Sequence, residues 1–216
     1  MSKPLFESVY DTLRTHHGRQ RWWPAESAFE MMVGAVLTQN TAWTNVERAI
    51  DNLEQAAMLA PRPILNCDRP RLAELLRPSG YFNVKARRLR ALCQWYVDEG
   101  GMECLKRRQT RALRESLLAV NGIGPETADD ILLYAFKRPV FVIDAYTRRM
   151  FSRLGLIDAE APYEELRAQF EAGLPPGARL FNEYHALIVT HGKHICQARP
   201  KCGDCVLAAQ CAYVHS

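Results

Sequence analysis

Four cysteines crowd the end of the chain. In "CQARPKCGDCVLAAQC" they stand at Cys196, Cys202, Cys205 and Cys211, with the spacing C-x5-C-x2-C-x5-C. Thiolates this close together can enclose one metal centre. Zinc sites usually present two paired knuckles separated by a longer span. Here a single CxxC has an outlying cysteine on each side. A cubane [4Fe–4S] cluster, which takes one thiolate per iron, suits that arrangement better than zinc or four free thiols. Arg199 and Lys201 lie between the first two cysteines. A loop pinned at both ends by metal would hold these cations in place for a phosphate. The other three cysteines, Cys67, Cys93 and Cys104, are scattered and carry no ligand spacing.

A second constellation is "LLAVNGIGPETADDILLYA". It reads as helix, Gly-x-Gly turn, helix. Gly122 and Gly124 are expected to permit positive φ and a close backbone approach to a partner. Pro125 suits a first helical position. The turn directs N–H groups at the start of the next helix, which favours an anion. A plain tight turn would carry the same glycines. Eighteen residues beyond Glu126, Asp144 in "VIDAYTRR" follows an apolar run and precedes a helical pattern. Its two readings are a helix N-cap and a carboxylate held at the lip of a cleft. A third feature is "RWWPAES", in which Trp22 and Trp23 adjoin Pro24. Two adjacent indoles either wall a core or receive a flat guest.

The elements that must position these residues are helical. Leu89, Leu92, Cys93 and Tyr96 recur at i, i+3, i+4 and i+7, as do Ala128, Ile131, Leu132 and Ala135. "FEMMVGAVL" (29–37) is apolar on nearly every side, as expected of a buried central helix. "RPVFVID" (138–144) is the best strand candidate, but it is short and isolated and reads as an extended linker. Ten or eleven helices with short connections would fill 216 residues, and the expected class is all-α. No stretch is apolar for long enough to cross a membrane. The N-terminal "MSKPLFESVYDTLRTHHGRQ" lacks a signal core, so the expected location is cytoplasmic and nucleoid-associated. The net charge of +4 is uneven: residues 77–114 hold ten Lys/Arg against three acids. That excess predicts a face for a polyanion or, more plainly, a solvated helix surface.

"NGIGPETAD", "VIDAYTRR", "HALIVTHGKHIC" and the cysteine run together resemble the endonuclease III superfamily of DNA glycosylases, over about residues 20–211. One spacing departs from that family, which usually has C-x6-C where this chain has C-x5-C. The resemblance implies a two-domain helix-hairpin-helix glycosylase fold with a C-terminal iron–sulfur loop. Residues 27–138 would form a six-helix domain. Residues 1–26 and 139–216 would form a discontinuous second one, with a flipped base held between them. Gly122, Ile123, Gly124 and Thr127 would grip the DNA backbone, Asp144 would be catalytic, and duplex DNA would bind a monomer. Lyase members have a lysine where this chain has Glu126, and a carboxylate cannot form a Schiff base. The resemblance therefore implies hydrolysis of the N-glycosidic bond without strand cleavage. Lys137 and Lys193 could supply an amine instead, though nothing in their spacing points to that role.

"RWWPAES", "VLTQNTAW" and "SGYFNVKARRL" look most like the 3-methyladenine DNA glycosylases of the endonuclease III-like branch. In that reading Trp22, Trp23 and Trp43, with Pro24 shaping the wall, stack on an alkylated purine. Such a base is cationic and gains about 1–2 kcal/mol over a desolvated indole face. Gln39 and Asn40 would fill the vacated space, and Tyr81 would wedge beside the orphaned partner. Lys85, together with Arg87, Arg88 and Arg90, would meet phosphates. The alternatives are a glycosylase/AP lyase for oxidised pyrimidines or mismatched bases, and a non-catalytic DNA-binding helix-hairpin-helix protein.

Overall fold

The computed structural model describes residues 3–20, 22 and 25–215. Among them there are helices and connections and no strand. The chain forms two compact units, one of residues 25–136 and one of residues 1–24 with 137–216. Their limits lie two residues N-terminal to the expected 27–138. Lys137 ends the last helix of the first unit by taking a left-handed backbone, with φ 56°.

The 25–136 unit is built on α2 (Ala28–Leu37), in which eight of ten residues are buried. The Ser27 side chain caps it by accepting from Glu30 N–H at 3.1 Å, and Glu30 accepts from Glu26 N–H at 2.8 Å. Around it lie α3 (Trp43–Gln55), α4 (Pro61–Asn66), α5 (Arg69–Leu75), α6 (Phe82–Asp98), α7 (Gly101–Lys106), α8 (Thr110–Leu118) and α9 (Pro125–Asp130). The α9 segment continues as a π-turn over Ile131–Ala135. The short segments α4, α5 and α7 raise the number above the six expected: Pro61 and Pro70 start α4 and α5, and Gly100 in left-handed backbone precedes α7. The periodic residues Leu89, Leu92 and Cys93 are fully buried, as are Ala128 and Leu132.

The second unit consists of α1 (Lys3–His17), α10 (Ala145–Arg153), α11 (Tyr163–Gly173), α12 (Ala178–His194) and α13 (Ala212–His215). α1 presents Phe6, Val9 and Leu13 inward. Phe6 lies 4.6 Å from Phe170, which stacks at 4.5 Å on Phe141. The buried Tyr184 hydroxyl donates to Phe6 O at 2.8 Å. Residues 137–144 run extended, and Val140–Ile143 are buried against these aromatics. With no partner strand, Phe141 N–H donates instead to Glu171 Oε1 at 3.0 Å. No helix of the described residues is long and apolar enough to cross a membrane.

Two buried ionic contacts set the first unit. Arg114 on α8 makes a bidentate pair with Asp129 on α9, at 2.7 and 3.0 Å, and the Asp129 side chain is fully buried. The second corrects an expectation. Lys85 is not a phosphate ligand on the surface, because its side chain is 1% exposed. Its Nζ donates to Leu37 O at 2.8 Å and Ser79 O at 2.6 Å, carbonyls that close α2 and the 77–79 turn. Burial, and then the neighbouring Arg88, push its pKa down to about 8. Lys85→Met is therefore expected to cost about 2–4 kcal/mol by stranding two buried carbonyls. Its affinity for undamaged duplex DNA should stay at the wild-type value. Urea unfolding and a binding titration check the two halves, and a surface lysine would show the reverse pattern.

Candidate active site

The hairpin between α8 and α9 is closed from within the 25–136 unit. Gly122 has φ +87°, as expected, and a Cβ there would lie 2.3 Å from Arg88 Cγ. Gly124 differs from the expectation: its φ is −93°, an ordinary extended value, and its missing Cβ faces open space. Ile123 is buried at 5% and its N–H is bound to Val120 O, so only its backbone position serves the turn. Thr127 is also buried and accepts at Oγ1 from Gln39 Nε2 at 2.9 Å. Gln39 donates as well to Gly122 O at 3.1 Å and accepts from Arg88 at 2.5 Å. Gln39 thus clasps the hairpin instead of standing clear as a void-filler. Asn40 and Tyr81 do stand clear. Both are non-glycine residues in left-handed backbone, with φ 53° and 45°, and Tyr81 is 70% exposed. Strained backbone of this kind collects at functional sites. Gly124, Pro125 and Glu126 are exposed at the tip. Trp43 opens α3, half-buried, with its indole N–H on Glu47 at 2.8 Å.

Half of the positive charge over 77–114 is turned to internal contacts, while Arg77, Arg87, Lys106, Arg107 and Arg111 are exposed. Arg88 holds Gln39, Arg90 donates to Ile64 O and Cys67 O at 3.0 and 2.8 Å, and Arg108 pairs with Glu99. Arg87 is the exposed member of its group. A charge count along sequence cannot distinguish a solvated guanidinium from one that closes a helix.

Asp144 occupies the N-cap of α10. Its Oδ1 accepts from Thr147 N–H at 2.7 Å and from the Thr147 hydroxyl at 2.9 Å. Its Oδ2 lies 3.4 Å from His185 Nε2. The carboxylate is 13% exposed and His185 5%. Burial works to raise the Asp144 carboxyl, but the hydrogen bond and charge of His185 and the two Thr147 donors outweigh it. Asp144 is left below its ordinary value and ionised at neutral pH. The cap and carboxylate readings are therefore both realised, one on each oxygen. Trp22 is half-buried, with its ring 5.6 Å from that of His185. Trp23 and Pro24 lie outside the described residues. His185 was legible in the sequence only as a polar residue inside the apolar run "HALIV", and no spacing linked it to Asp144.

The C-terminal cysteines lie beside the far end of the same helix. Arg149 donates to Cys196 O and Gly192 O at 2.8 and 3.0 Å. Arg153 donates to Gln197 O and Ala198 O at 2.6 and 3.0 Å, and its Nη1 lies 3.4 Å from Cys196 Sγ. Cys211 Sγ donates to Arg153 O at 3.3 Å. Burial pushes the Cys205 thiol up, the Leu207 N–H draws it down, and the charges of Cys196, Cys211 and Cys202 raise it again. The four sulfurs therefore share one neighbourhood furnished with cationic donors, a setting that fits thiolate ligands. Among the described residues no three His, Cys, Asp or Glu side chains converge on a single-ion position. Arg199 and Lys201 are exposed on the loop, Lys193 is exposed in the last turn of α12, and Lys137 is exposed at the unit boundary.

Two outcomes follow from this geometry. Gly124→Ala should leave stability within about 0.5 kcal/mol of wild type, whereas Gly122→Ala should unfold at markedly lower urea. A loss of duplex affinity in the stable Gly124→Ala protein would then report a contact with DNA. For Asp144 the folded pKa is depressed. Its contribution to stability is present above the unfolded value and is lost as pH falls through the folded one. Thr147→Val removes one donor to the anion and should move the acid limb of activity to higher pH in a pH–rate profile.

The sequence matches the HhH-GPD superfamily of base excision DNA repair proteins over residues 33–176. A protein of Methanocaldococcus jannaschii that carries a provisional name as a DNA repair glycosylase is 48% identical over 210 residues, 96% of each chain. The 3-methyladenine DNA glycosylase MagIII of H. pylori, solved with 1,N6-ethenoadenine, is 34% identical with a TM-score of 0.78, over 87% of this chain and 96% of that one. An endonuclease III–DNA complex matches in fold with a TM-score of 0.85 at 20% identity, over 100% and 97% of the two chains. A helical hairpin braced by a buried ion pair, a capped carboxylate and these matches agree: the chain belongs to the HhH-GPD superfamily of base excision DNA repair proteins, as a DNA glycosylase of the endonuclease III kind.

Proposed function

We propose that the protein is a monofunctional glycosylase for alkylated purines in duplex DNA, working as a monomer. The observation that carries this reading is Asp144: a carboxylate kept ionised by its cap and by His185, partly exposed, and one residue away from an indole that meets that histidine at a tilt of 55°. An alkylated purine is already a good leaving group and needs no strong general acid. What it needs is stabilisation of the positive charge that develops on the deoxyribose. Asp144 supplies that stabilisation electrostatically, as an anion, and orients a water for attack at C1′. One carboxylate then suffices, unlike the pair used by sugar hydrolases. Trp22 offers an indole face that favours an electron-poor base, and Trp23, Pro24 and Trp43 are the further candidates of the sequence for that role. The 34% identical MagIII, solved with an ethenoadenine, supports the same class of substrate.

Extrusion of the base costs a few kcal/mol, least for a damaged one. In this reading Asn40 would fill the vacated space and Tyr81 would wedge beside the orphaned partner; their exposure and left-handed backbone support it. Gly124 and its neighbours at the hairpin tip approach a phosphate, and Arg87, Arg199 and Lys201 add exposed charge. Glu126, exposed at the position of the lyase lysine, supports hydrolysis without strand scission. Cys196, Cys202, Cys205 and Cys211 would hold a [4Fe–4S] cluster. A single tetrahedral zinc would draw the sulfurs to about 3.8 Å from one another, whereas a four-iron core takes one thiolate at each corner. The group would fix the fold of the loop that carries Arg199 and Lys201.

The decisive measurement is a panel of duplexes, each with one lesion, scored separately for free base and for nicking. Alkylated purines should be released with the strand intact, and borohydride should trap no enzyme–DNA adduct. A trapped adduct would overturn the monofunctional reading. Asp144→Asn keeps a capping side chain, so its melting temperature should change little. Its base release should fall by about 10²–10⁴-fold, with binding to damaged duplex retained.

A further inference from the structure

We propose that His17 and His191 form a hydrogen-bond chain that ends on the Cys205 sulfur and tunes the cluster held there. The proposal rests on the cluster reading above. His191 sits on α12 and is fully buried. Its Nε2 lies 3.4 Å from Cys205 Sγ, and its Nδ1 lies 3.0 Å from Nε2 of His17, on the last turn of α1. The two rings meet edge-on, with centroids 5.3 Å apart. His17 is half-buried, and its backbone carbonyl is held by Gln20 Nε2 at 3.0 Å.

The protonation pattern follows from the acceptors. A cysteine that ligates iron is a thiolate and offers only lone pairs. The His191 nitrogen that faces it must therefore carry the proton, because the other tautomer would set lone pair against lone pair. With Nε2 protonated, a neutral His191 has a bare Nδ1 and accepts at that atom. The atom opposite is His17 Nε2, so His17 carries its proton on Nε2. One arrangement thus satisfies the chain: His17 N–H to His191, and His191 N–H to sulfur. Arg153 plays the corresponding part at Cys196 from the other side. Hydrogen bonds to a ligand sulfur draw electron density from it and stabilise the reduced cluster. They also hold a donor against the Cys205 and Cys196 sulfurs, which slows loss of those ligands.

The test uses the full-length, iron-loaded protein in three forms: wild type, His191→Leu and His17→Leu. The readouts are the cluster reduction potential, its bleaching rate in air, and the deuterium shift of the Fe–S(Cys) resonance Raman bands. His191→Leu should lower the potential, bleach several-fold faster and lose one component of the deuterium shift. His17→Leu changes a residue at the half-buried end, where folding is less at risk, and should move all three readouts in the same direction by less. Iron-loaded variants with wild-type potential and Raman shifts would overturn the hydrogen-bond chain alone. A wild-type protein that binds no iron, as purified or after reconstitution, would overturn the cluster reading and this one with it.

Discussion

The site depends on how one carboxylate divides its two oxygens. Oδ1 of Asp144 closes the first turn of α10 by accepting from Thr147 twice. That leaves Oδ2 toward His185. The cap fixes the side chain in one rotamer, and the positive end of the helix favours the anion. The same contacts that start the helix therefore keep the carboxyl ionised in surroundings that would otherwise protonate it. In the proposed mechanism, with no second acid, the transition state would meet a charge already formed and already aimed.

α10 extends the constraint to the cysteines. Its nine residues span about 13 Å. Arg149 and Arg153, on its second half, bind backbone carbonyls at 192 and 196–198, and Arg153 also reaches a cysteine sulfur. The loop is thus tied to the helix that carries Asp144. Arg199 and Lys201 sit exposed on that loop, so a change at the cysteines can displace their charge without a direct contact to Asp144. His191 makes the matching contact from α12, and His17 carries it to α1.

In the 25–136 unit buried cations act as architecture. Lys85 satisfies two carbonyls where α2 and the 77–79 turn end, Arg114 braces the two helices of the hairpin, and Arg88 orients Gln39 against the turn. Each long side chain closes a gap between elements that have no side chains of their own to spare. The exposed positive charge of residues 77–114 is about half of what the composition suggests.

The sequence by itself determined the helical class, the buried character of α2, the extended stretch before Asp144, the hairpin and its Gly122, and the grouping of the cysteines. Each is a pattern within about twenty residues, where backbone geometry and side-chain period act directly. It also carried Asp144 to the start of a helix. The tertiary structure decided what those residues face. Lys85 meets a carbonyl 48 residues away, Gln39 a threonine 88 away, and His17 a histidine 174 away. Asp144 finds His185 forty-one positions later, with no spacing to announce it. Whether a cation is solvated or buried, and which partner orients an anion, depends on which helices pack together, and local pattern does not encode that pairing.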